Sequence, residues 1–258
     1  MSAPPAPPAP EAASGRGPGR LGRLTVVQLG RAGHPRRALA TAVGLAVAAA
    51  VSGRPVREVV LVLATVLVGQ LLLGWDNDLV DERADREAAG HEEHIDKPLV
   101  TGLLDRGTVG FAVACAVLLV VPLSMSGGIT AGVSYLLSLL VGLAGNRWLR
   151  RGALSWLPWA LAFGLYPAFL SYGGWGGGAT GNPPTIAITV AAAALGVGVH
   201  VLTSLSGLVE DNRAGRRHLP LRLALRLGAP RLLALSAAYC VLVVGVIAGL
   251  GATVGLSQ

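Results

Sequence analysis

Apolar stretches of about 20 residues recur along nearly the whole of this chain, and each can cross a hydrocarbon core of roughly 30 Å. Seven are read, at 38–53, 56–76, 107–124, 128–146, 153–172, 185–206 and 231–254, the first being the shortest. Lipid offers the backbone no hydrogen-bond partner, so each stretch is expected to be an α-helix that satisfies its own peptide groups. The side chains agree: 52% are hydrophobic and only 14% charged, whereas soluble domains carry about a quarter charged residues. The 36 glycines allow helices to approach closely. The expected fold is an all-α integral-membrane bundle of about seven transmembrane helices, forming one domain over residues 36–258. Residues 1–35 are expected to be a disordered or amphipathic cytoplasmic segment. Its first 20 residues are rich in Pro, Ala and Gly and lack the apolar core of a cleaved signal.

Positive charge sets the orientation. Arg16, Arg20, Arg23, Arg31, Arg36 and Arg37 precede the first stretch, and Arg83, Arg86, Lys97 and Arg106 follow the second. Arg147, Arg150 and Arg151 follow the fourth; Arg213, Arg216, Arg217, Arg222 and Arg226 follow the sixth. The intervening loops near Ser126 and over 174–184 carry no charge. The N-terminus and all three charged loops are therefore expected in the cytoplasm, with Gln258 outside. The net charge of +7 is this topology signal. It does not point to nucleic acid, because the arginines are dispersed and lack interleaved aromatics. Cys115 and Cys240 lie within stretches and are expected to pack without forming a disulfide.

One loop breaks the pattern. Nine of the 14 acidic residues fall between Asp76 and Asp96, directly after the second stretch. Within Asn77-Asp78-x-x-Asp81-x-x-x-Asp85, Asp81 lies about 60° and Asp85 about 20° from Asp78 on an α-helix, so the three share a face. Like charges that close repel and need a cation. Magnesium fits, since it binds one or two carboxylates together with substrate phosphates. Lys97, the only lysine in the chain, follows in Asp96-Lys97-Pro98-Leu99-Val100-Thr101-Gly102 and supplies a point charge suited to phosphate. His91 and His94 read as solvated loop residues. His200 is ionisable within the sixth stretch, where such groups are commonly functional.

The pattern N-D-x-x-D-x-x-x-D followed by D-K-P-L-x-x-G resembles the UbiA superfamily of intramembrane prenyltransferases, actinobacterial members in particular. The likeness continues at Gly145-Asn146-x-x-x-Arg150, where the family has a Tyr-Asn pair and a Lys. It runs on through Ser155-Trp156-Leu157-Pro158-Trp159-Ala160 and Phe163-Gly164. It returns at Glu210-Asp211-Asn212-Arg213-Ala214-Gly215-Arg216-Arg217-His218-Leu219-Pro220, and covers about 36–250.

The resemblance implies a helical cavity open to the membrane, in which two aspartate motifs bind Mg²⁺ and an isoprenyl diphosphate. Ionisation of that substrate gives an allylic cation, captured by an aromatic or lipid acceptor or by an internal double bond. The implied metal ligands are Asn77, Asp78, Asp81, Asp85 and Asp211. The implied substrate contacts are Asn77, Lys97, Asn146, Arg150, His200 and Arg217, the last where the family places a diphosphate-contacting base. The chain departs from the family in two ways. Thr203 and Gly207 stand where the second motif has Asn and Asp, leaving Asp211 as its clear match. Seven spans are counted where family members commonly have nine, so a second copy or a membrane partner would complete the bundle. Three readings follow: a prenyltransferase, a terpene cyclase, and a non-catalytic member that binds prenyl diphosphate or supports a partner. A cation transporter fits less well, because the acidic cluster lies at a span's end and transport sites lie at mid-bilayer.

Overall fold

The computed structural model describes residues 24–89, 97–149, 152–174, 182–213 and 215–254. All its regular elements are helical. Helix α1 (Thr25–Ala32) is short and amphipathic, and α2 (Pro35–Val51) opens with a proline, whose missing N–H costs nothing in a first turn. The 34-residue α3 (Val56–Ala89) does not stop where the apolar run ends at Trp75 but carries the acidic stretch onward for about four more turns. Helix α4 (Arg106–Met125) is capped by Asp105, whose Oδ1 accepts from Thr108 N at 2.8 Å and whose Oδ2 accepts from the Thr108 hydroxyl. These bonds hold the Asp105 carboxyl below its usual range. Helix α5 (Ile129–Ala144) runs into a π turn (Gly145–Leu149), and α6 (Leu157–Ser171) follows. Helix α7 (Ile186–Ser204) breaks through a 3₁₀ turn (Leu205–Gly207) into the six-residue α8 (Leu208–Arg213). The amphipathic α9 (Leu219–Leu227) leads into α10 (Ala229–Val254).

All seven expected apolar stretches are helical, but they are not equal. Among the described residues, five helical segments are long and apolar enough to cross a membrane: Val56–Glu87, Arg106–Met125, Ile129–Leu149, Ile186–Arg213 and Ala229–Gly251. Helices α2 and α6, at 17 and 15 residues, fall short of that length. Within the N-terminal segment expected to be disordered or amphipathic, Thr25–Ala32 forms the amphipathic helix α1. Residues 1–23 lie outside the described residues.

Each helix packs on its neighbour in the chain, from α2 through α7 to α10, and α3 also meets α5. The main core lies where α3, α5 and α6 meet, around Val62, Val66, Leu72, Tyr135, Leu139, Tyr166 and Phe169. Buried hydroxyls there need partners. Tyr135 donates to Val66 O at 3.2 Å, and Gln70 Nε2 donates to Tyr166 OH at 3.2 Å. Outward faces stay apolar, as on α2, where Leu39, Val43, Val47 and Val51 recur every fourth residue and are exposed. That pattern suits hydrocarbon and not water.

A smaller core of Ala32, Leu99, Leu104 and Val109 forms at the acidic end of the bundle, with Leu29, Trp75 and Leu79 packed against it. It ties α1, the Lys97 turn and the start of α4 to α3. The backbone of α1 comes so close that a Cβ on Gly74 would sit 2.5 Å from Gly33 O. Gly74→Ala is therefore expected to destabilise the protein by about 1–3 kcal/mol through overpacking, read as a lower unfolding temperature in detergent.

Candidate active site

Helix α3 presents carboxylates on two opposite faces at its acidic end. Asp78, Asp81 and Asp85 share one face, as their spacing predicts, and Asp78 and Asp81 are buried. Asp76 lies roughly 160° around the helix from Asp78 and is buried on the other side.

On the first face each end of the acidic row has its own partner. His34 Nε2 contacts Asp78 Oδ1 at 3.2 Å, and Arg37 interacts electrostatically with Asp78. Lys97 Nζ donates to Asp85 Oδ2 at 2.6 Å. The Lys97 turn holds its place because Leu99 is buried in the small core and Leu99 O accepts from Arg86 at 2.9 Å. Asn77 is half-buried beside this row. The expected three-carboxylate set is not a preformed cage: among the described residues, no three His, Cys, Asp or Glu side chains could hold a metal ion together. The reason is helical rise, since Asp78 and Asp85 are seven residues, or about 10 Å, apart along the axis. Neighbouring pairs in the row remain a hard, anionic oxygen set of the kind magnesium takes alongside phosphate oxygens.

The second face is closed by ion pairs. Arg147 donates to Asp76 Oδ2 at 2.8 Å and to Oδ1 at 2.5 Å, and Asn146 Nδ2 donates to Asp76 Oδ2 at 3.1 Å and to Leu73 O at 3.3 Å. The π turn at the end of α5 turns these two consecutive residues toward one carboxylate, a use to which such local widenings are often put. Toward the edge of this face, about 40° from Asp78 around the helix, Glu82 accepts from Arg86 at 3.1 Å and from Arg106 at 2.8 Å, joining α3 to α4. An open cleft of about 770 Å³ runs along this face, lined by Asp76, Val80, Glu82, Arg83, Arg106 and Arg147 among others. Asn146 thus belongs to the Asp76 clamp and not to the Asp78 row. Arg150, its expected companion, lies outside the described residues, as do His91, His94 and Asp96.

The second motif folds back on itself. Asp211 Oδ2 meets His218 Nε2 at 2.6 Å, and Oδ1 meets Arg216 at 3.2 Å. His218 Nδ1 accepts from Leu221 N at 3.3 Å, which caps α9 and leaves the proton on Nε2 to be donated to Asp211. Arg216, not the exposed Arg217, therefore meets the motif's carboxylate. Gly207 faces Asp211, since a Cβ there would stand 3.7 Å from Oδ2. The Thr203 hydroxyl is committed to the carbonyls of Val199 and His200. Buried His200 meets Ser155 Oγ at 3.0 Å through Nε2 and lies 5.5 Å from the Trp159 ring, at the end of a row continued by Phe163 and Tyr166. Trp159 is thus part of this aromatic row.

His34, Arg37, Asp76, Arg147, Arg216 and His218 escaped sequence reasoning as site residues. Asp76 alone left a signal, since its helical phase opposes that of Asp78; the others meet their partners only through tertiary contacts.

A helical membrane bundle with an acidic row at the end of its first long helix defines the class. The model of the UbiA prenyltransferase family matches residues 38–257, and the chain belongs to that family. Among solved structures, a UbiA homolog from Archaeoglobus fulgidus bound to GPP and Mg²⁺ matches with a TM-score of 0.63 and 20% identity, over 86% of this chain and 77% of that one. The homolog bound to DMAPP and Mg²⁺ gives 0.63 and 21% over the same shares. Its Cd²⁺-bound form gives 0.62 and 20% over 87% of this chain and 78% of that one. At such identities the likeness establishes the fold. No curated protein matches the chain in sequence.

The Asp76 clamp makes a separate prediction. Arg147→Ala leaves a buried carboxylate without its cation and is expected to cost about 2–3 kcal/mol. Combining it with Asp76→Asn should recover part of the loss, as a double-mutant cycle on unfolding temperature would show.

Proposed function

We propose that this protein is a Mg²⁺-dependent intramembrane enzyme that binds an isoprenyl diphosphate and transfers the prenyl group to an aromatic or lipid acceptor. The observation that carries the proposal is the acidic row of α3, with Asp78 and Asp81 buried in a member of the UbiA prenyltransferase family. The solved homolog with this fold holds GPP or DMAPP together with Mg²⁺. In this chain Asp78, Asp81 and Asp85, with Asn77 beside them, would hold the metal. When bound, Mg²⁺ neutralises diphosphate charge and makes the group a better leaving group.

The remaining roles belong to side chains. Lys97, already poised at Asp85, offers a cation to the diphosphate. Arg216 compensates the charge of Asp211 and His218 donates a hydrogen bond to it, so the second motif meets an anion as a mixed, largely self-neutralised group. The apolar spans accommodate the prenyl tail and exclude water from the reacting carbon. Arginine distribution supports an N-terminus and charged loops on the cytoplasmic side, and the acidic row would then face the side from which soluble diphosphates arrive. Arg217 and Arg150 remain candidates for the diphosphate edge, and His200 for the prenyl or acceptor end.

A second reading, cyclisation of the prenyl chain on itself, is favoured by the aromatic row of Trp159, Phe163 and Tyr166, whose ring faces can stabilise positive charge. Purified protein incubated with geranyl to geranylgeranyl diphosphates and Mg²⁺ separates the readings. Transfer requires an added acceptor for product, whereas cyclisation does not. Binding without diphosphate release would leave a non-catalytic prenyl-diphosphate-binding member.

Asp78→Asn and Asp81→Asn are each expected to abolish Mg²⁺-dependent prenyl diphosphate binding while the protein stays folded. Wild-type binding by both variants would remove the row from the site. Lys97→Ala is expected to weaken diphosphate affinity about tenfold with little change in metal requirement.

The second motif yields its own expectation. Because Asp211 is engaged by its own loop and Gly207 lacks a side chain, one strong metal site is expected per chain. Gly207→Asp, placed beside Asp211, should raise metal stoichiometry or lower the Mg²⁺ concentration needed. An unchanged Mg²⁺ titration would show that the two motifs do not cooperate.

A further inference from the structure

The corner between α1 and α2 holds an unusual backbone. His34 stands at φ 50° and ψ 58°, and it is the single non-glycine residue with positive φ among the described residues. Side chains with a Cβ are disfavoured in this left-handed region, and an outlier there needs surroundings that enforce it. Those surroundings are present. Gly33 lies against the backbone of Gly74, Trp75 Nε1 donates to Leu29 O at 2.8 Å, and Ala32 is buried in the small core. Pro35 then begins α2 at once.

The consequence is geometric. Gly74 and Asp78 are one turn apart on the same face of α3, so pinning the corner to Gly74 delivers the His34 ring to Asp78 Oδ1 at 3.2 Å. The Asp78 side chain is 4% exposed and that of His34 28%. An ionised carboxylate only accepts hydrogen bonds, so the ring proton facing it is on Nε2.

We infer that His34 is a positioning residue for Asp78. It donates Nε2–H to Oδ1, restricts rotation of the carboxylate and leaves Oδ2 as the oxygen available to a ligand. This rests on the reading of the α3 row as the site for metal and diphosphate. Preorganised ligands bind more tightly because less is lost on ordering them, and the strained corner supplies that order before any ligand arrives.

The test uses the full-length protein in detergent and two substitutions. His34→Gly suits the left-handed backbone but removes the donor; His34→Gln restores an N–H at about the reach of Nε2. In metal-free protein with nitrogen-15-labelled histidine, the His34 ring should show a protonated Nε2 whose signal shifts in Asp78→Asn. A ring protonated on Nδ1 alone would overturn the inference. In Mg²⁺ titrations of geranyl diphosphate binding, the midpoint should rise about tenfold in His34→Gly, the worth of one hydrogen bond to a charged group. It should fall back toward wild type in His34→Gln, with the unfolding temperature of His34→Gly unchanged or raised. A wild-type midpoint in His34→Gly would overturn the positioning role while leaving the site intact. Failure of the wild-type protein to bind geranyl diphosphate would instead count against the site itself, and the ring spectrum would still decide whether His34 holds Asp78.

Discussion

Carboxylates cannot be left uncompensated at the edge of a bilayer, and the acidic end of α3 concentrates that problem in one place. Four of them, Asp76, Asp78, Glu82 and Asp85, meet partners from four different segments. His34 comes from the α1–α2 corner, Lys97 from the turn before α4, Arg106 from α4 itself and Arg147 from the end of α5. Four separate segments are thereby tied to one helix. The acidic end of the bundle is organised around α3, as the main core is organised around the apolar contacts of α3 with α5 and α6.

The two faces of that helix end do different work. On the Asp76 face, the Arg147 guanidinium and the Asn146 amide saturate the carboxylate from the π turn, and at the edge between the faces Glu82 is bridged twice. Such pairs lock the rotation of α3 about its axis. Locking matters because the opposite face must point Asp78 and Asp81 inward; a rotation of one residue's angle would aim them elsewhere. The ion-paired face therefore helps to hold the Asp78 row in its orientation.

The second motif shows the cost of losing one side chain. With glycine at 207, Asp211 has no carboxylate neighbour from the preceding turn and is claimed by Arg216 and His218 of its own loop. The geometry of the facing motif survives, since Gly207 still looks at Asp211, but its charge is largely spent within the loop.

Apolar length alone determined that residues such as 107–124 and 231–254 are helices, because hydrocarbon leaves the backbone no alternative. Helical phase alone placed Asp78, Asp81 and Asp85 on one face, and the spacing of those residues pointed to the family. Phase could also have set Asp76 apart. What the sequence could not determine was the partner of each carboxylate. His34 and Asp78 are 44 residues apart, Arg147 and Asp76 71, and no local pattern links them. Only the close approach of Gly33 to Gly74 and the π turn after α5 bring them together. Arg217 and Arg216 were equivalent as letters, and the turn at Gly215 decided which of them reaches Asp211. Local periodicity is written in the chain because it depends on neighbours a few residues away; pairing across helices depends on how the whole bundle closes.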